Sequence, residues 1–217
     1  MYLGLLRDSS LFATLQKIDQ VQVEEARARG CPWCGCGRLQ QADYPRKPRG
    51  GPADLEGESA TTITEADGRQ WQLAYDVRFS LCCGSEGCRR RVTPPSVRFL
   101  GRRFFLGVVV VVAGALLNGA TPWRVRRLRQ QLPFPISRRT LVRWRAWWLE
   151  TFVATDLWLA TRARWMPPVV EAQLPASLLA RLPEENARAR MTACLRLLGP
   201  LTTESCRGLE PARSLAW

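Results

Sequence analysis

The period of the apolar positions changes several times along these 217 residues, and each change predicts an element. In residues 10–28, Leu11, Leu15, Ile18, Val21 and Val23 fall near helical spacing, with Asp19, Glu24 and Glu25 assigned to the other face. Residues 1–30 therefore read as an N-terminal helix for packing or partner contact. In residues 70–81 the period drops to two. Trp71, Leu73, Tyr75, Val77, Phe79 and Leu81 share one face of a strand, and Asp76 and Arg78 take the other. A shorter partner strand is expected at 38–44.

Three helices follow. The run 106–117 is apolar almost all round, which predicts a central core helix over 102–118, stopped by Asn118-Gly119. At 12 residues it falls short of a bilayer span, which needs about 20. The second helix opens with Thr121 as N-cap and Pro122 at its first position, and runs to about Leu132. Val125, Leu128 and Leu132 face inward; Arg124, Arg126, Arg127 and Arg129 face out. Pro133-Phe134-Pro135-Ile136 breaks it. The third starts at the N-cap Ser137 and runs through Trp148 towards Phe152, burying Leu141, Trp144, Trp148 and Phe152. Arg138, Arg139, Thr140, Arg143 and Arg145 lie on or near its other face. Trp144, Trp147 and Trp148 at helical spacing read as core. This order of elements is the helix-turn-helix layout, in which the last helix enters the major groove by its N-terminal end. Beyond Trp165 the chain is proline-interrupted, with short helices expected near 176–182 and 187–198, and it either docks on the core or binds a partner.

Charge sharpens the picture. Residues 87–149 hold fourteen arginines and no Asp or Glu; the preceding part nets −2 and the following part +1, so this segment carries the excess of the whole chain's +13. Segregated charge costs self-repulsion unless a polyanion faces it, which points to nucleic acid. Only Lys17 and Lys47 are lysines, and the guanidinium fork suits phosphates and guanine edges.

Histidine is absent, so Ser-His and Cys-His catalysis is excluded and a metal site must be built from cysteine. Six of the eight cysteines form two clusters. Cys31-Pro32-Trp33-Cys34-Gly35 is a zinc-knuckle pattern, in which two thiolates hold one tetrahedral ion and glycine frees the turn. Cys83 and Cys88 bracket a glycine-bearing loop and complete a four-cysteine set for Zn2+; Cys82 and Cys36 compete as ligands. A redox Cys-x-x-Cys and a metal-free core are the other readings. The 48 residues between Cys34 and Cys83 exceed the usual 15–20, so an insertion must loop out of the ribbon. Within it, Arg46, Lys47 and Arg49 form either a minor-groove arm or an incidentally basic linker. Arg89, Arg90 and Arg91 begin an extended connector suited to phosphates. Cys194 and Cys206 read as small apolar residues.

The motifs Cys31-Pro32-Trp33-Cys34-Gly35, Cys83-Gly84-Ser85-Glu86-Gly87-Cys88-Arg89-Arg90-Arg91, and Thr121-Pro122-Trp123 with Ile136-Ser137-Arg138-Arg139-Thr140-Leu141 together resemble the zinc-ribbon plus helix-turn-helix DNA-recognition part of bacterial insertion-sequence transposases and their accessory proteins. The resemblance covers about residues 31–152; the long insertion and proline-rich tail depart from it. It implies an α+β chain: a small four-cysteine zinc ribbon built on a β-hairpin, then an all-α helix-turn-helix bundle. The expected organisation is an N-terminal helix at 1–30, ribbon at 31–92, helix-turn-helix domain at 93–165 and helical tail at 166–217. A transposase proper would also need three carboxylates on a ribonuclease-H-like domain, for which there is no room, so a non-enzyme is expected. The expected role is sequence-specific binding of double-stranded DNA at mobile-element ends, with a separate transposase or other protein as a further partner. The alternatives are a host transcription regulator, or a subunit holding a protein or structured RNA. Without a secretory signal or a spanning helix, the expected place is cytoplasmic and nucleoid-associated.

Overall fold

A computed structural model describes residues 2–46, 61–64, 70–73, 77–100, 107–116, 121–132 and 135–203. It is a mixed helix-and-sheet protein with small antiparallel sheets, and it divides into two compact units: Arg7–Leu106 with Leu198–Trp217, and Met1–Leu6 with Gly107–Leu197.

In the first unit, helix α1 spans Ser9–Arg29; its N-cap Asp8 accepts the Leu11 amide at 3.0 Å, and Gly30 ends it at φ +78. The buried stripe is Leu11, Phe12, Leu15, Gln16, Asp19, Val23 and Ala26. Two sequence assignments change. Val21 is exposed, and Asp19, expected on the polar face, is buried. Leu11, Leu15, Asp19 and Val23 are four residues apart, so Asp19 falls on the core line by geometry. It is tolerated there because Ser96 Oγ (2.6 Å), the Val97 amide (2.7 Å) and Arg98 Nε (2.8 Å) all donate to its carboxylate.

Where the ribbon was expected there is a three-stranded antiparallel sheet of β1 (Leu39–Gln41), β6 (Leu81–Cys83) and β7 (Arg91–Val92), with β6 central. β2 (Tyr44–Pro45) pairs with β5 (Val77–Arg78), and β3 (Thr61–Thr64) with β4 (Gln70–Leu73). The single strand expected over 70–81 is thus divided among β4, β5 and β6, each with a different partner. Arg78, expected on the outer face, is buried, donating from Nη2 to the Pro94 carbonyl and from Nη1 to that of Phe79 at 3.2 Å. Tyr75 and Asp76 lie outside the described residues. Val23 and Ala26 of α1 pack with Cys31, Leu39, Phe79, Leu81, Cys83 and Val92 into one small core, so α1 backs the ribbon.

In the second unit, α2 (Gly107–Leu116) is buried from Val108 to Ala113, as its all-round apolarity demands; the rest of the span expected at 102–118 lies outside the described residues. α3 (Pro122–Gln131) begins at the expected proline and buries Val125 and Leu128, with Leu132 buried just beyond it. α4 (Arg138–Ala146) is capped by Ser137 Oγ, which accepts the Thr140 amide at 3.1 Å. A π-helical turn, Trp147–Phe152, continues it. Leu141, Trp144, Trp148 and Phe152 are buried as expected, with the Trp148 and Phe152 rings 5.1 Å apart. α2 packs on α4. At Gly114 an added Cβ would stand 2.7 Å from Trp148 Nε1 and 2.9 Å from Pro175 Cδ, so only glycine permits this approach. α5 (Asp156–Thr161) precedes the proline-interrupted part, which forms α6 (Ala176–Arg181) and α7 (Ala187–Leu198), and α6 packs on α2. Among the described residues no helix is long and apolar enough to cross a membrane.

Candidate metal centre and basic helices

The first knuckle grows directly from the end of α1. Gly30 leaves the helix at positive φ, and the Cys31 amide donates to the Cys36 carbonyl while the Gly35 amide donates to that of Cys31, both at 2.9 Å. Gly35, at φ +69, closes the turn. The second knuckle is the turn after β6. There the amides of Cys88 and Arg89 both donate to the Ser85 carbonyl at 3.0 Å, and Arg89 takes φ +46, a left-handed conformation that costs a side-chain-bearing residue about 1 kcal/mol or more. The two turns are tied together by the Gly84 amide on the Arg38 carbonyl at 2.8 Å.

These turns bring Cys31, Cys34, Cys83 and Cys88 together, all four sulfurs within 4.8 Å of one another. Cys31 Sγ and Cys88 Sγ are 3.7 Å apart, and Cys34 Sγ and Cys83 Sγ 3.5 Å. A tetrahedral ion with metal–sulfur bonds of about 2.3 Å requires roughly 3.8 Å between sulfurs, so the cluster has the dimensions of a four-thiolate metal site. The two competing cysteines fall outside it. Strand alternation explains Cys82: Cys83 is buried towards the cluster, so its neighbour on β6 points to the opposite face, with Sγ 3.4 Å from the Arg89 carbonyl. Cys36 Sγ instead accepts the Arg38 amide at 3.4 Å.

The electrostatics of the four thiols are uneven. Burial opposes the charged form of Cys31, yet the amides of Trp33 and Cys34 and the neighbouring thiols bring it down to about 7. At Cys83 the Ser85 amide favours the thiolate, but burial and three neighbouring thiols outweigh it and push the group up to about 12. Cys34 is raised as well: the Cys36 amide and Cys83 lower it, while burial, Cys31 and Cys88 raise it. A doubly charged cation removes this mutual repulsion, and expels the protons that remain. Cys194, by contrast, is fully buried and pushed up to about 12 by that burial, as befits a packing residue.

The connector arginines divide by what they touch. All three are exposed in part. Arg91 stacks over the Tyr44 ring at 5.2 Å and turns Nη1 to the Ala42 carbonyl (2.6 Å) and Ser80 Oγ (2.9 Å), so it pins β7 to the strand connections. Arg90 lies over the ring of the exposed Trp33, 5.8 Å from its centroid. Arg98 has no exposure: besides Asp19 it donates to the Val77 carbonyl at 3.0 Å and lies between the Phe79 and Phe99 rings. One of the fourteen clustered arginines is therefore a core residue.

On the helical unit, Arg126, Arg127 and Arg129 of α3 and Arg138, Arg139 and Arg143 of α4 are exposed. Among the described residues none of them pairs with a carboxylate. Arg127 lies over the ring of the exposed Trp123, 5.4 Å from its centroid. Thr140 is half-buried and bonded to Ser137 Oγ at 2.9 Å, and Arg143 Nη2 donates to Thr140 Oγ1 at 3.4 Å. Arg124 lies within α3. Six residues, 132–137, separate the last residue of α3 from the first of α4. Arg46 of the candidate arm is half-buried; Lys47 and Arg49 lie outside the described residues. Two tryptophans exposed among the described residues, Trp33 and Trp123, were given no exposed role from sequence, although each stands within four residues of an arginine or beside a cysteine of the cluster. No protein-family model matches this chain, and neither the curated proteins nor the solved structures give a match.

Proposed function

We propose that this protein is a zinc-stabilised, sequence-specific binder of double-stranded DNA, serving end recognition in a mobile element and carrying no catalytic site of its own. Zinc is the ion favoured by four thiolates in tetrahedral array, since sulfur donors select soft or borderline metals. The observation that carries the DNA reading is the start of α4. Arg138 and Arg139 occupy its first turn, exposed and with no acid in that turn. Cations at a helix N-terminus oppose the macrodipole, at about 0.3–1 kcal/mol each. The arrangement becomes favourable when phosphates approach the same end, because helix amides and guanidinium groups then act together. In this reading Arg138, Arg139 and Arg143 address base edges and nearby phosphates, with Thr140 beside them. Arg124, Arg126, Arg127, Arg89 and Arg90 hold the backbone.

The test is metal content together with selection from random-sequence duplex DNA across a salt series. About one zinc per chain, a steep loss of affinity with salt and an enriched motif are the expected results. Zinc without duplex selectivity would move the protein to the class of scaffolds for a protein or structured RNA. A motif found in host promoters alone would make it a transcription regulator.

A further inference from the structure

The metal cluster assembles more than a metal site. Trp33 lies between the ligands Cys31 and Cys34, and Arg90 lies two residues beyond the ligand Cys88, so the two meet only because the knuckles meet. Trp33 is 41% exposed, although tryptophan is on average among the more buried residues. The Arg90 guanidinium lies over the ring, 5.8 Å from its centroid and at the outer edge of a cation–π contact, so it takes one of the two faces. Arg89 and Arg38 are exposed nearby in the chain, the latter tied through its carbonyl to Gly84; the one acid in the second knuckle loop is Glu86. A partly exposed indole with a guanidinium over one face is a combination that can hold an unpaired nucleotide, base on ring and phosphate on arginine.

We infer that Trp33 and Arg90 form a stacking site for one unpaired nucleobase and its phosphate, so that the ribbon holds a single-stranded or frayed segment of the nucleic acid. The inference rests on the DNA-binding reading and adds to it. A base inside a duplex has its faces covered by its neighbours, and its groove edges need donors and acceptors, of which an indole supplies a single N–H. The ring face is therefore useful only where a base is unstacked. Stacking tolerates any base, so the site adds affinity for exposed strand without adding sequence preference.

The experiment compares the full chain, with metal content verified, on a blunt duplex and on the same duplex with a short single-stranded oligo-dT tail. The wild-type protein is expected to bind the tailed duplex about tenfold more tightly. Trp33→Ala should remove that advantage and leave blunt-duplex affinity unchanged, while Trp33→Phe should keep most of it. Equal binding of the two substrates by the wild type overturns the stacking site and leaves the duplex reading standing. Equal losses on both substrates in Trp33→Ala, at unchanged metal content, overturn it too. Failure of the wild type to bind either DNA at low salt overturns both readings together.

Discussion

Asp19 and Arg98, on α1 and on the connector after the ribbon, meet at 2.8 Å with both side chains fully withdrawn from solvent. Each is also hydrogen-bonded elsewhere, the carboxylate to Ser96 and the Val97 amide, the guanidinium to the Val77 carbonyl. Removing one partner leaves a buried charge unpaired, which costs about 3–5 kcal/mol. Asp19→Ala is therefore expected to lower the stability of the ribbon unit by that amount in urea unfolding. An apolar pair, Asp19→Leu with Arg98→Met, should recover much of the loss. A loss below about 1 kcal/mol in Asp19→Ala would mean that solvent reaches the pair.

Metal affinity should depend on pH in two regimes. The thiolate is the binding form, so protons compete and affinity falls as pH falls. The thiols of Cys34 and Cys83 are both raised, the latter to about 12, and stay protonated at neutral pH in the metal-free protein; each gives up a proton on binding. Cys31, at about 7, adds a further proton only below that pH. A plot of log affinity against pH is expected to be steeper below about pH 7 than above it. Competition with a chromogenic chelator at several pH values measures this, and a flat plot would exclude the four-thiolate site.

Arg89 couples strain to charge. Its φ of +46 is the conformation glycine adopts without cost. Arg89→Gly is therefore expected to raise the thermal stability of the metal-loaded protein by about 0.5–1 kcal/mol. If Arg89 holds a phosphate, the same substitution lowers the salt slope of DNA binding by about 1. Opposite signs in the two measurements would identify a residue retained for binding.

Arg91 was expected at phosphates and Arg139 at base edges; Arg91 is bonded within the fold, whereas Arg139 is exposed. Arg139→Ala leaves a surface position and should relax sequence preference by about 1–3 kcal/mol at one base step, with no change in unfolding. Arg91→Ala takes donors from the Ala42 carbonyl and Ser80 and should cost about 1–3 kcal/mol of stability. Unfolding curves and selection from random duplexes, run on both variants, would reverse these assignments if the effects exchanged.

Local chemistry was readable wherever one residue type fixed the outcome. Pro122 marked the start of α3, Ser137 capped α4, and the stripe Leu141, Trp144, Trp148, Phe152 is buried, because caps and periods are properties of neighbours in sequence. The four sulfurs of Cys31, Cys34, Cys83 and Cys88 converge although 48 residues lie between Cys34 and Cys83. What escaped was decided by distant partners. Asp19 looked solvent-facing because Arg98 lies 79 residues away. Alternation over 70–81 looked like one strand because period two records which face is buried and not which strand lies alongside. Cys82 and Cys83 could be told apart only when β6 acquired its register against Leu39 and Gln40.

The pairings of Tyr44 with Arg78 and Pro45 with Val77 mean that the chain leaves the ribbon and re-enters it at one place. The segment between those pairs is closed at its two ends by them. Enlarging such a closed loop costs only about 0.6 kcal/mol per doubling of its length. The four sulfurs of Cys31, Cys34, Cys83 and Cys88 therefore meet at a modest cost in loop closure, although 48 residues lie between Cys34 and Cys83.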